Sequence, residues 1–404
     1  MSAVGIYVSV PFCKSKCSYC NFASGVFSRA KMAAYVARVA GEVERSQECS
    51  ARLGTELSPE CNSIYLGGGT PSTLDPELFA QIFSSIRSYF RVTDDAEITI
   101  ECAPGTISDE LLQTMLRQGV SRISFGVQSF ADQETRAVAR LHTRQQALED
   151  IRRVRDAGIQ SISIDLIAGL PHQTAASWRE SVEQAIETGV PHVSVYMLEV
   201  DEDSRLGTEL MAGGTRYHAH FVPDDDAIAD FYVEACERLQ AAGIAQYEIS
   251  NFSRPGHESL HNLKYWTRQP YLGFGLDAHS MHLAAHPNES FAAVRCANAD
   301  DLDRYLEGTE TEARKVSQTE AIEEEFFLGL RLNQGISIAQ IEARFAPDAA
   351  RHVAEALPEL IAEGLLEQTG QSRVRLTSRG RLLSNEVFAR LLHDQAKSTE
   401  EATI

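Results

Sequence analysis

Gly5-Ile6-Tyr7-Val8-Ser9-Val10, continued by Pro11-Phe12-Cys13-Lys14-Ser15-Lys16-Cys17-Ser18-Tyr19-Cys20, carries a short apolar run straight into three cysteines spaced Cys-x3-Cys-x2-Cys. The run reads as a strand and the cysteines as the loop at its C-terminal end. Iron–sulfur clusters are normally held by four Cys thiolates, so a three-Cys loop leaves one iron free to bind a small molecule. Zinc and unpaired structural thiols are the competing readings. Zinc ribbons usually show two separated Cys-x-x-Cys pairs, whereas this chain has no second pair and no His between Met1 and Arg140. Cys49, Cys61, Cys102, Cys236 and Cys296 are scattered singly and read as ordinary buried thiols.

Outward from that strand, β-rich runs recur at Ser63–Leu66, Glu97–Glu101, Arg122–Val127, Ser161–Ile167 and His192–Leu198. Stretches with helical spacing lie between them: Glu77–Tyr89, Asp109–Arg117, Gln145–Ala157 and Ala175–Glu187, with Gly119, Gly158 and Gly189 where C-caps belong. Alternating β and α predicts an α/β fold with a parallel sheet. Six units fall short of the eight that close a TIM barrel, so the expectation is an open, partial (β/α)6 barrel.

Strand C-terminal ends collect the functional candidates. The Cys loop follows strand one, Gly67-Gly68-Gly69-Thr70-Pro71 follows strand two, Glu101 closes strand three, Gln128 follows strand four and Gly169-Leu170-Pro171 follows strand five. Parallel α/β sheets place ligand sites on that face. Each has a plainer reading alone, since glycine runs are usually turns and Glu101 or Gln128 would suit a solvated loop. Asp165 lies inside an apolar run, where an ionised carboxylate needs a partner or ligand hydrogen bonds; a salt bridge or a wet strand end is the alternative.

The 404 residues, 43% hydrophobic, can bury a substantial core in two or three domains, and the chain reads as a soluble globular protein. The 37 basic and 57 acidic residues give a net charge of −20, which disfavours nonspecific attraction to nucleic acid and anionic lipid. Met1–Val10 has no basic n-region, and no stretch approaches the roughly 18 apolar residues of a membrane span. Any membrane contact is expected to be peripheral. The cysteine usage fits reduced thiols and a cytoplasmic location.

Over residues 5 to about 392 the chain resembles the radical S-adenosylmethionine (SAM) superfamily, and within it the coproporphyrinogen dehydrogenase branch. The resemblance rests on Tyr7-Val8-Ser9-Val10-Pro11-Phe12-Cys13, Gly67-Gly68-Gly69-Thr70-Pro71, Phe125-Gly126-Val127-Gln128-Ser129-Phe130 and Ile164-Asp165-Leu166-Ile167-Ala168-Gly169-Leu170-Pro171. It implies a [4Fe–4S] cluster on Cys13, Cys17 and Cys20 whose fourth iron is chelated by SAM. It also implies SAM contacts from Tyr7, Gly68, Gly69, Thr70, Glu101, Gln128, Arg140 and Asp165. Arg140 would suit the ligand carboxylate and an acid the ribose hydroxyls, and an electron donor such as a flavodoxin or ferredoxin fits the same chemistry.

Position 22 separates two branches of this family. Porphyrinogen-oxidising members carry a Cys there and HemW-type haem chaperones an aromatic residue; this chain has Phe22. His261-Asn262-Leu263-Lys264-Tyr265-Trp266 matches the HNxxYW signature tied to haem in the chaperone branch, which makes His261 the haem-ligand candidate and His257, His279, His282 and His286 its competitors. A His packed beside two core aromatics with satisfied nitrogens is the plainer reading of that signature.

The chain thus divides into a barrel (1–200), a connecting region that carries the His261 signature and takes no part in the barrel (201–316), a winged-helix-like α+β domain (317–392) and a disordered tail (393–404). In the third part a Ser317-Gln318-Thr319-Glu320 capping box opens a helix towards Leu332. The helical stretch Ala349–Glu363 carries Glu355, Glu359 and Glu363 against Arg351, a poor match for phosphate, so packing over the barrel mouth is expected instead. The function expected is a haem chaperone passing haem to a respiratory haem protein. A radical SAM oxidoreductase decarboxylating coproporphyrinogen III is the alternative, and a redox-sensing nucleic-acid regulator a third.

Overall fold

Strand β1 (Val4–Val10) buries Ile6, Val8 and Val10 on one face and turns Tyr7 and Ser9 to the other. The structure is a computed structural model that describes residues 2–199, 201–285, 291–308, 311–345, 351–370 and 372–392. Five strands follow β1 in parallel and in chain order: β2 (Glu60–Gly68), β3 (Arg91–Cys102), β4 (Arg122–Gln128), β5 (Ser161–Ala168) and β6 (His192–Met197). Between them run α1 (Arg29–Arg52), α2 (Pro76–Tyr89), α3 (Asp109–Arg117), α4 (Asp132–Ala137), α5 (Arg144–Asp156) and α6 (Ala175–Glu187). Ser28, Ser108, Thr143 and Thr174 cap four of these helices by accepting an amide of the first turn. Apolar stripes such as Tyr35, Val36, Val39 and Val43 of α1 join the strands' outward residues in one core.

The register sets the inner face of the sheet. Tyr7 pairs with Tyr65, Tyr65 with Thr99, Glu101 with Ser124, Gly126 with Asp165, and Asp165 with Ser194. Side chains alternate across a strand, so the face turned from the helices is polar.

Residues 201–316 differ from the expected connection. They contain α7 (Arg205–Met211), α8 (Asp225–Ala241), α9 (Leu260–Trp266) and α10 (Leu302–Glu307), and six strands that lengthen the sheet at both ends. Strands β7 (Ala245–Gln246) and β8 (Asn251–Ser253) extend it antiparallel beyond β6. Strand β9 (Tyr271–Phe274) pairs parallel with β1, and β10 (His279–Leu283), β11 (Ala293–Ala297) and β12 (Glu312–Val316) continue antiparallel from it. The order is β12-β11-β10-β9-β1-β2-β3-β4-β5-β6-β8-β7. Among the described residues nothing pairs β12 with β7, so the molecule is an open, partial (β/α)6 barrel with a widened wall.

The C-terminal part holds α11 (Gln318–Leu330), with the Ser317–Glu320 capping box formed, then α12 (Ile338–Arg344), α13 (Arg351–Ala362), α14 (Ser378–Leu382) and α15 (Ser384–Ala389). A three-stranded sheet, β13 (Ile336–Ser337), β15 (Arg373–Leu376) and β14 (Leu366–Thr369), completes a small α+β unit whose core also takes in Ile249 from the preceding region. The expected packing over the barrel mouth is not what the structure has. Helix α11 instead spans the two ends of the open sheet. Glu324 pairs with Arg295 of β11 at 2.7 Å, Arg331 approaches Glu248 beside β8 at 3.5 Å, and Asn333 N–H donates to the Tyr247 carbonyl at 2.9 Å. Buried charges draw the domain to those edges, since each would be costly alone. The expected disordered tail, 393–404, lies outside the described residues. No helix among them is long and apolar enough to cross a membrane.

Candidate functional site

The Cys loop is tied down at both ends. Gly25 N–H donates to the Pro11 carbonyl at 2.9 Å and Cys13 N–H to the Gly25 carbonyl at 2.8 Å, closing residues 12–25 into a ring. Phe12 anchors the ring by packing edge-on against Phe27 and Tyr35. The Gly-rich turn after β2 docks on it: Gly69 N–H donates to the Val10 carbonyl, Thr70 N–H to the Phe12 carbonyl, and Thr70 Oγ1 to Cys13 Sγ at 3.7 Å. Gly68 takes φ +99°, and a Cβ on Gly69 would stand 2.7 Å from the Val10 carbonyl oxygen, so glycine is required at both for this approach. On the other side Leu206 N–H donates to the Ser18 carbonyl at 2.8 Å.

Cys13, Cys17 and Cys20 are free thiols at the barrel's C-terminal rim. Burial pushes the Cys13 thiol up, so its thiolate needs a compensating positive charge. Arg140 supplies one: burial opposes its charge, but the neighbouring Tyr19 and Cys17 hold its pKa above the usual range. Among the described residues no three His, Cys, Asp or Glu side chains converge where a single ion would sit.

The remaining rim candidates are brought together on the inner face. Tyr65 Oη donates to Glu101 Oε1 at 2.8 Å and Gly68 N–H to Glu101 Oε2 at 3.2 Å. Burial nevertheless raises the Glu101 pKa to about 7. Ser124 Oγ donates to Asp165 at 3.0 Å and 3.2 Å from its two oxygens, and burial pushes that carboxyl up despite the hydroxyls of Ser194 and Ser124. Asp165 thus has serine hydroxyls as partners and, among the described residues, no salt bridge, while it remains half-buried at the inner face. Gln128 is held at φ +68°, a conformation rare outside glycine. Its Oε1 and Arg140 Nε are buried without a hydrogen-bond partner, and Arg140 lies close to Cys17 and Cys13. Orphaned buried polar atoms clustered beside three thiols fit a polar ligand.

Tyr65, Ser124 and Tyr19 escaped the sequence reading. Tyr65 was the accessible one, because it lies two residues before Gly67 and hence on the same face of β2.

His261 lies deeper, near the start of the strands, with its ring 5.4 Å from Tyr65 and 6.3 Å from Tyr7 between centroids. A Cβ on Gly5 would come 3.3 Å from its ring. His261 is 1% exposed, Nδ1 is bonded to Ser63 Oγ at 3.0 Å, and Nε2 to Tyr265 Oη at 2.9 Å. Burial, helped by Lys264, lowers its pKa to about 3. Of its competitors, His257 bonds Ser161, His282 is buried with Nδ1 unpartnered, and His279 is open to solvent; His286 lies outside the described residues. Beside α9 a cavity of about 350 Å³ opens between β1, β9, β10 and β11, with Tyr7, Tyr265, Trp266 and His279 in its wall.

Comparison with known proteins bears on this geometry. The Radical SAM superfamily profile matches residues 7–185 and that of the HemN C-terminal domain residues 316–383. The heme chaperone HemW of Lactococcus lactis is 32% identical over 96% of this chain and 97% of its own. The chain belongs to the HemW family. HemW of Bacillus subtilis is likewise 32% identical, over 96% of this chain and 98% of its own. Coproporphyrinogen III oxidase (HemN) from Escherichia coli, a radical SAM enzyme, superposes with a TM-score of 0.79, covering 96% of this chain and 90% of that one. At 22% identity that likeness speaks for the shared fold. In this HemW-family chain Phe22 lies two residues beyond Cys20 and is 59% exposed at the rim.

Proposed function

We propose that this protein is a haem chaperone that holds a [4Fe–4S] cluster on Cys13, Cys17 and Cys20, binds SAM, and passes haem to an acceptor. The observation that carries the reading is the near full-length likeness to HemW chaperones, joined to a rim whose donors fit the cofactors. When bound, cluster and SAM together would supply one-electron chemistry. The chain's own residues do the holding. Arg140, with Nε unpartnered, donates to the ligand's carboxylate, and Gln128 Oε1 accepts from its donors. Asp165, kept in place by Ser124, accepts ribose hydroxyls. Tyr7 packs 6.0 Å from Tyr65 between centroids and walls the site beneath Gly68, Gly69 and Thr70, while Glu101 braces the glycine turn from below.

The family signature makes His261 the first haem candidate; the protein itself is read as cytoplasmic, with a respiratory haem protein as acceptor and a flavodoxin or ferredoxin as electron donor. The test is anaerobic reconstitution followed by iron and sulfide analysis, haem titration and a search for 5′-deoxyadenosine. Uptake of haem and a cluster is expected. Conversion of coproporphyrinogen III to protoporphyrinogen would replace the chaperone reading with an oxidoreductase.

A further inference from the structure

The cavity beside α9 is built by cross-strand register. Tyr271 of β9 faces Met281 of β10, and Met281 faces Arg295 of β11, so the three form one rung. His279 lies two residues before Met281 and therefore on the same side of the sheet. Flat walls come from Tyr265 and Tyr271, edge to face at 4.6 Å, and from Trp266. The volume is that of a small-molecule pocket.

We propose that His279, not His261, ligates haem iron in this cavity, and that Arg295 receives a propionate. The assignment rests on the haem-chaperone reading above. For His261 to bind iron it would have to give up Ser63 or Tyr265, leaving a core hydroxyl unpaired; its bond to Tyr265 instead fixes one wall of the pocket. His279 carries no such cost. Its side chain is 63% exposed, and Asp277 Oδ1, 3.8 Å from Nε2, can orient the ring as carboxylates orient metal-bound imidazoles. Arg295 and Arg268 share the single carboxylate of Glu324, at 2.7 Å each. With Glu325 and its partner Arg344 counted, three guanidinium groups face two carboxylates, and Arg295 stands at the pocket wall beside Tyr271, across the pocket's lining from Asp277, the one carboxylate among the described lining residues. The Arg295 charge matches an anionic propionate.

The same register explains why a carrier would be built this way. Met281 stands on the same strand face as His279, so the pair cannot clamp one porphyrin from opposite sides. Haem held there by His279 would have no second ligand from Met281, which would leave its other side available to an acceptor's side chain.

The experiment uses full-length, anaerobically reconstituted protein titrated with ferric protoporphyrin IX and, separately, with metal-free protoporphyrin IX. His279→Ala is expected to shift the Soret band, to weaken the ferric complex by about ten-fold or more, and to leave metal-free porphyrin binding within about two-fold. Added imidazole should restore the wild-type spectrum. Arg295→Ala should weaken both porphyrins alike. The assignment is overturned if His279→Ala leaves the ferric spectrum and affinity unchanged, or if folded His261→Ala protein loses the axial imidazole signature that His279→Ala keeps. If the wild-type protein takes up no haem at all, the chaperone reading falls, and this assignment falls with it.

Discussion

Tyr65 donates its phenolic hydrogen to Glu101 at 2.8 Å, yet the carboxyl it supports titrates near neutrality. Burial outweighs both that bond and the Gly68 amide, and Asp165 adds repulsion, so the pKa rises to about 7. The folded state then binds more protons than the unfolded one between the ordinary carboxyl range and pH 7. Stability from this group is present at low pH and is lost as pH rises through 7. Glu101→Gln removes the titration. Its stability relative to wild type should therefore grow by about 3 kcal/mol from pH 4.5 to pH 7, read by urea denaturation across that range. A difference that stays flat would refute the buried, ionisable Glu101.

His261 has the opposite sign. Burial lowers its pKa to about 3, so the unfolded chain binds the extra proton and stability is lost as pH falls below about 6.5. His261→Ala breaks the bonds to Ser63 and Tyr265 and should cost about 2–4 kcal/mol at pH 7.5. The penalty should shrink by about 2 kcal/mol at pH 5, where wild type has itself lost part of the contribution. Equal penalties at the two pH values would mean that the imidazole is not held neutral.

Glu324 bridges Arg268, whose side chain is 3% exposed, and Arg295 with one carboxylate. Glu324→Gln leaves two cations facing each other at the seam between α11 and the sheet, and should cost about 3–5 kcal/mol. Thermal denaturation of the full chain measures it. A loss within about 0.5 kcal/mol would place the charges in water.

Replacing Cys13, Cys17 and Cys20 together by Ala should bring iron and sulfide to background after reconstitution. The loop is held by backbone bonds and by Phe12, so the cluster-free stability should change by no more than about 1 kcal/mol. Retained sulfide-bearing iron would move the cluster elsewhere.

Gly69→Ala would press a methyl against the Val10 carbonyl at 2.7 Å. Backbone on both sides leaves little room to relax, and a loss of about 1–3 kcal/mol is expected, together with weaker SAM retention on gel filtration. Unchanged stability would show that the turn does not dock on β1 as described.

Much of this arrangement was legible in the chain because it is local. The helices α3 and α6 fall on the periodic stretches residue for residue, with Gly119, Gly158 and Gly189 at positive φ as their positions implied. The Cys loop and glycine run announce themselves within a few residues. What stayed hidden depends on long-range register. Gly5 pairs with Tyr271 across 266 positions, and strands of two to five residues such as β7–β12 are too short for a period to show. The same holds for the pocket. Met281 and Arg295 are unremarkable in sequence and meet through pairing alone. Helix α11 reads well from its capping box, but its berth is set by Arg268, Arg295 and Glu248, which no spacing rule connects.

Tyr7 stands in the wall of the cavity proposed for haem and also beneath the glycine turn of the rim proposed for SAM. If both proposed ligands touch that one phenol ring, they would not load as strangers. Whatever factor the nucleoside imposes on the affinity of the tetrapyrrole, the tetrapyrrole must return in equal measure, so the order in which the protein is filled changes the path and never the total.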